Sequence, residues 1–144
     1  MSPGDARQRT RRLAFRALWQ ALGWVGVAAV VALSLRPDPP HLPSVLGWDK
    51  AQHLVAYAGL MWWFRQAFPG RARSVIGLLA LGVGLEFLQA LTPHRTFDPV
   101  DMVANALGVA LGLALTSTLL GRTLAWADAL LQRALDARRA RRGR

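Results

Sequence analysis

Four long apolar runs fill most of a 144-residue chain: 17–35 (ALWQALGWVGVAAVVALSL), 51–68 (AQHLVAYAGLMWWFRQAF), 74–91 (SVIGLLALGVGLEFLQAL) and 100–120 (VDMVANALGVALGLALTSTLL). Each approaches the ~20 residues a helix needs to cross a bilayer. No soluble core needs four such runs in so short a chain, so lipid is the solvent they suit. In lipid every backbone polar group must be satisfied internally, which selects helices. Pro37, Pro39, Pro40 and Pro43 end the first run, and Pro69–Gly70 breaks the second from the third. The expected fold class is an all-α membrane protein with four transmembrane helices.

Charge orders the chain further. The net charge is +10, with five of the 18 cationic side chains in 7–16 and seven in 122–144. Segments that stay inside collect Arg and Lys. With both termini inside, the inner segments carry fifteen cations and the outer ones three: Arg36, Lys50 and Arg95. Three parts follow: a basic cytoplasmic tail (1–16), a four-helix membrane domain (17–120) and a basic C-terminal segment (121–144). In the last, a helix over about 122–142 has Asp128, Gln132, Asp136 and Arg139 on one face and Leu124, Leu131 and Leu135 turned away. That pattern predicts an amphipathic helix at the interface. Trp19 and Trp62 or Trp63 should mark the inner boundary, and Trp48 the outer one. The start also resembles a secretory leader with Ala32-Leu33-Ser34 as its cleavage site. Its apolar run is long for that purpose, and removal would leave an odd number of spans, so retention is expected. Nucleic acid is not an expected partner. The absence of cysteine excludes disulfides, thiolate metal sites and thiol catalysis.

This threading draws the polar residues to one side. Asp49, His53 and Tyr57 are four apart on one face of the second helix, beside Lys50. Glu86 and Gln89 end the third. Arg95, Asp98, Asp101 and Asn105 lead into the fourth, where Asp101, Asn105, Gly108 and Gly112 form a stripe that ends in a close-approach surface. Carboxylates facing lipid are costly, so these groups should face each other in a small polar pocket open to the outer surface. Structural roles compete with functional ones. Asp98-Pro99 reads as a helix cap with Asp101 in the first turn. Glu86 reads as an ion-pair partner of Arg95, Lys50 or His53. Tyr57 reads as a packed aromatic with its hydroxyl satisfied, and Gln89 and His94 as solvated. Asp49, His53, Glu86 and Asp101 offer metal ligands without a tight motif, and no metal or other cofactor is expected.

The blocks DKAQHLVAY (49–57), GLEFLQ (84–89) and RTFDPVDMVANALG (95–108) resemble those of the VanZ-like family of small bacterial membrane proteins. The likeness covers about 20–120. It implies an integral, multi-pass protein of the bacterial inner membrane and cell envelope. The family is named for a protein linked to teicoplanin resistance, and that antibiotic-resistance role is not carried over. The expected function is binding of a lipid head group or lipid-linked cell-wall precursor, with Lys50 and Arg95 meeting phosphate. Membrane lipids are the expected partners, a glycolipid among them. An alternative is an enzyme acting on a phospho- or glycolipid, with His53 as general base, Glu86 and Asp101 as further catalytic candidates and Arg95 stabilising charge. A small transporter is a third, weakened by the apolar inner half of the spans. Neither catalysis nor oligomeric state is legible.

Overall fold

A computed structural model describes residues 13–36, 49–93 and 97–143. Five α-helices follow in order: α1 (Arg16–Ser34), α2 (Asp49–Ala67), α3 (Arg71–Ala90), α4 (Pro99–Leu115) and α5 (Thr123–Arg142). A 3₁₀ turn (Leu119–Arg122) joins α4 to α5, and no strand occurs among the described residues. The punctuation is local chemistry. Gly70 takes φ +87°, a left-handed conformation open to glycine, and with Pro69 it separates α2 from α3. Asp98 caps α4 by accepting from Val100 N at 2.9 Å, with Pro99 in the first turn.

Helix α2 is the centre, packed on α1, α3, α4 and α5. It supplies Tyr57, Leu60, Met61 and Phe64 to a core completed by Leu78 and Val109. Its closest neighbour is α4, and glycines make the closeness possible. A Cβ on Gly108 would lie 2.5 Å from Leu54 O and 2.9 Å from Tyr57 Cβ; one on Gly112 would overlap Ala58 O. These pairs advance together along both helices, so α2 and α4 run parallel. Gly82 sits against Asn105 while Glu86 meets Asp98, so α3 runs antiparallel to α4. Gly26 meets Leu60 and Gly23 meets Phe64 and Phe68, so α1 runs antiparallel to α2.

The outward faces are apolar. Helix α1 buries only Gly23 and exposes Leu18, Leu22, Trp24, Val25 and Leu33. Ile76, Val83 and Phe87 are exposed on α3, and Val103, Leu107 and Leu111 on α4. Exposed apolar surface on this scale marks a lipid or partner interface. Two helices, α1 and α3, are each long and apolar enough to cross a membrane. A third crossing is counted if α4 and α5, bent by 77°, are one broken span. The expected four spans thus reduce to two or three on length and composition. Helix α2 is less apolar because Lys50, His53 and Arg65 dilute it. Its enclosure by the other helices removes the need for an apolar surface all round.

Helix α5 folds back across one end, and here the expected faces do not hold. Leu124 and Asp128, placed on opposite faces from the sequence, are both buried. Asp128 accepts from Ala14 N (2.7 Å), Phe15 N (2.9 Å) and Trp19 Nε1 (2.7 Å), satisfying donors ahead of and within the first turn of α1. Gln66 Oε1 accepts from Thr123 Oγ1 and Leu124 N, both at 3.1 Å, and Trp62 Nε1 donates to Leu120 O. Trp63 Nε1 donates to Trp19 O, with the two indoles edge to face. Burial alone would push the Asp128 carboxyl up, but these three hydrogen bonds outweigh it and hold the carboxyl below its usual range.

Gly112→Ala and Gly108→Leu should lower the thermal unfolding midpoint in detergent. Gly59→Ala, with nothing within 4 Å of the added methyl, should leave it level or raise it slightly. Equal midpoints for all three would exclude the close contact. Asp128→Asn should cost about 1–3 kcal/mol. Because the folded carboxyl is depressed, its contribution is complete above the ordinary carboxylate range and is lost as pH falls through the lower folded value. The variant should therefore show a flatter acid limb in a stability–pH series than wild type.

Candidate functional site

The chain geometry that joins α2 to α4 also aligns their polar ends. On α2, positions 50, 53–54, 57–58 and 61 form the stripe that faces α4. Lys50 and His53 stand where that stripe meets Asp101 and Asn105. Helix α3 enters from the side and adds Glu86 at its second-last turn. The result is one cluster from three distant stretches of sequence.

Lys50 Nζ pairs with Asp98 Oδ2 and lies 2.9 Å from Asp101 Oδ1. His53 Nδ1 and Asn105 Oδ1 are 3.0 Å apart, and His53 Nε2 is 3.8 Å from Asp101 Oδ2. Asp98 N donates to Glu86 Oε2 at 3.2 Å. One ligand atom each from His53, Glu86 and Asp101 lies within 4.8 Å of the others. Burial is deep: Tyr57 and Glu86 are 1% exposed, Asn105 2% and Asp101 5%. Lys50 and Asp98 are more open, and their side chains keep 22% and 33% of their surface. The hydrogen bond from Lys50 holds the Asp98 carboxyl below its usual range.

Several groups keep unused capacity. Tyr57 OH, Glu86 Oε1 and Asn105 Nδ2 are buried with no hydrogen-bond partner. Such groups are costly and call for an explanation. Tyr57 is thus a packed aromatic, but its hydroxyl is not satisfied as the sequence suggested.

Of the expected site residues, Lys50, His53, Glu86, Asp98, Asp101 and Asn105 come together, with Tyr57 beneath them. Arg95 and His94, like Trp48, lie outside the described residues, as does the side chain of Asp49. Gln89 is not solvated: it is 3% exposed, and its Nε2 donates to Ser34 O at 2.9 Å, tying α3 to the end of α1. Of the partners expected for Glu86, Lys50 instead takes Asp98 and Asp101, Arg95 lies outside the described residues, and Glu86 Oε2 accepts a backbone N–H. Sequence reasoning missed Gln66 altogether. A lone glutamine in an apolar run was the only signal.

The opposite end is basic. Arg16, Arg65 and Arg71 line a cleft of about 800 Å³ beside α5, together with Gln66 and Thr116. The acidic cluster and these arginines therefore sit at the two ends of the packed helices.

Lys50→Met should lower the unfolding midpoint, because Asp101 would then be buried without its cation. Adding Asp101→Asn should recover part of the loss, with a coupling of about 0.5–3 kcal/mol in a double-mutant cycle. Additive losses would exclude the pair.

The comparisons with known proteins agree with one another in part. A curated protein of Schizosaccharomyces pombe, itself described as uncharacterized, is 37% identical over 82 residues, covering 53% of this chain. The aligned region spans half of that relative's length. No solved structure matches. A relative in fission yeast means the likeness is not confined to bacteria. The VanZ/LLP1 family model matches residues 5–121, most of the chain and the whole polar cluster, and the protein belongs to that family.

Proposed function

We propose that this is a multi-pass membrane protein whose polar cluster binds the head group of a lipid, or of a lipid-linked cell-wall precursor, at the outer membrane face. Helices α1 to α4 all cross in this reading, with both termini cytoplasmic and the inner membrane as the site. The support for the orientation is the division of charge: fifteen cations on one side of the threading and three on the other. Helix α2, 19 residues long, covers roughly 28 Å at 1.5 Å per residue. It crosses as an enclosed helix rather than a lipid-facing one. Helix α5 lies along the inner face, where its arginines meet anionic lipid at about 1 kcal/mol per residue.

The observation that carries the binding role is the convergence of Lys50, His53, Glu86, Asp98, Asp101 and Asn105 on one rim, with buried donors and acceptors left unused. Carboxylates accept from hydroxyl or ammonium groups of a head group, and Lys50 meets its phosphate. Arg95 adds a second cation to that phosphate. A relative in a yeast favours a head group that membranes share widely over a precursor restricted to bacterial walls. A second reading, hydrolysis of such a lipid with His53 as general base, draws on the 3.0 Å contact that orients the imidazole.

Two measurements test these readings. Because the chain has no cysteine, single cysteines at 98 and 133 can be labelled in intact cells. Labelling at 98 alone by a membrane-impermeant thiol reagent is expected; labelling at 133 alone would reverse the topology. Binding to nanodiscs of defined phospholipid or glycolipid should fall about tenfold or more in Arg95→Ala and Asp98→Ala. Equal binding by wild type and variants would exclude the head-group site. Turnover of the same lipids, lost in His53→Gln, would favour the enzyme.

A further inference from the structure

Three residues of the cluster are arranged in a way that head-group binding alone does not use. His53, Glu86 and Asp101 come from three helices, and each is held by one atom while another is left over. Asn105 Oδ1 accepts only, so His53 Nδ1 carries the proton and donates to it across 3.0 Å. In the neutral imidazole that a metal ion binds, the lone pair is then on Nε2. Asp98 N occupies Glu86 Oε2, while Glu86 Oε1 is buried without a partner. Lys50 Nζ forms an ion pair with Asp101 Oδ1 at 2.9 Å, and Asp101 Oδ2 faces His53 Nε2 at 3.8 Å. A lone pair and a carboxylate oxygen that face each other repel, and a proton or a metal ion between them removes the repulsion.

Charge points the same way. Glu86, Asp98 and Asp101 bring three carboxylates, and Lys50 pairs with the last two. A divalent ion offsets the charge of the two deeply buried carboxylates, Glu86 and Asp101, which burial in an apolar surround favours.

We infer that His53, Glu86 and Asp101 bind one divalent metal ion, with Asn105 as the positioning residue that fixes the imidazole. One imidazole and two carboxylates suit zinc or manganese, whose ligand bonds of roughly 2.0–2.2 Å draw the three groups together. Asn105 plays the outer-shell part that metal-bound histidines usually need. Three protein ligands leave a coordination position open, and the Tyr57 hydroxyl, one helical turn from His53 on α2, is buried without a hydrogen-bond partner. The inference rests on the reading of this cluster as the functional site, and it supplies that site with a cation for a lipid phosphate.

The full chain, purified in detergent and stripped with EDTA, is loaded with Zn²⁺ or Mn²⁺, freed of excess and assayed for bound metal by mass spectrometry. Affinity is read by calorimetry with the metal salt alone. About one ion per chain is expected. Glu86→Gln and His53→Gln should each weaken binding at least 100-fold, and Asn105→Ala about 10- to 100-fold. The ion should raise the unfolding midpoint of wild type but not of Glu86→Gln, whose midpoint without metal shows whether it folds. Wild type that retains no stoichiometric ion overturns the inference whatever the variants do, and so do variants that retain it as well as wild type. Head-group binding that persists in stripped protein overturns the metal's role and leaves the lipid reading standing. Metal binding without any lipid binding does the reverse.

Discussion

The backbone contact between α2 and α4 is the constraint on which the rest depends. Gly108 and Gly112 let α4 rest on the carbonyls of Leu54 and Ala58, closer than any side chain would allow. In lipid, apolar side chains gain little by leaving their solvent, so helices associate through close packing and interhelical polar contacts. The stripe that carries these glycines also carries Asn105 and Asp101, one and two turns earlier. Close packing below therefore fixes the register of the polar groups above. Lys50 meets Asp101 and His53 meets Asn105 because Leu54 and Ala58 are already in place.

The two ends of the molecule solve the same problem with different chemistry. At one end, charged groups are sequestered among themselves, with the orphaned atoms of Glu86, Tyr57 and Asn105 left as capacity for a ligand. At the other, single side chains close off helix ends. Asp128 takes the donors at the start of α1, and Gln66 takes those at the start of α5. Those hydrogen bonds serve structure, whereas the atoms left without partners at the first end are the reason function is assigned there.

Much of this was legible in the sequence. The apolar runs locate α1 to α4 to within a few residues, because proline and glycine punctuate them; α4 stops at Leu115, short of the expected 120. The stripe from Asp101 to Gly112 and the cap at Asp98 follow from spacing alone. The gathering of His53, Glu86 and Asp101 follows from threading. What was not legible involves partners that no periodicity encodes. Gln89 finds Ser34 O, and Glu86 Oε2 accepts the backbone N–H of Asp98. Asp128 is buried because the unsatisfied N–H groups of α1 lie opposite it, and a helical wheel sees only side chains. Length and composition alone give two or three crossings rather than four, since α2 carries polar residues that its neighbours enclose.

The central claim is that His53, Glu86 and Asp101 share one site. Solid-state NMR on protein in bilayers, with ¹⁵N in the His53 ring and ¹³C in the Glu86 and Asp101 carboxyls, measures this directly through dipolar couplings. The expected result is coupling from the ring to both carboxyls, in keeping with ligand atoms within 4.8 Å of one another. A ring nitrogen uncoupled from both, in protein that remains helical, would contradict it.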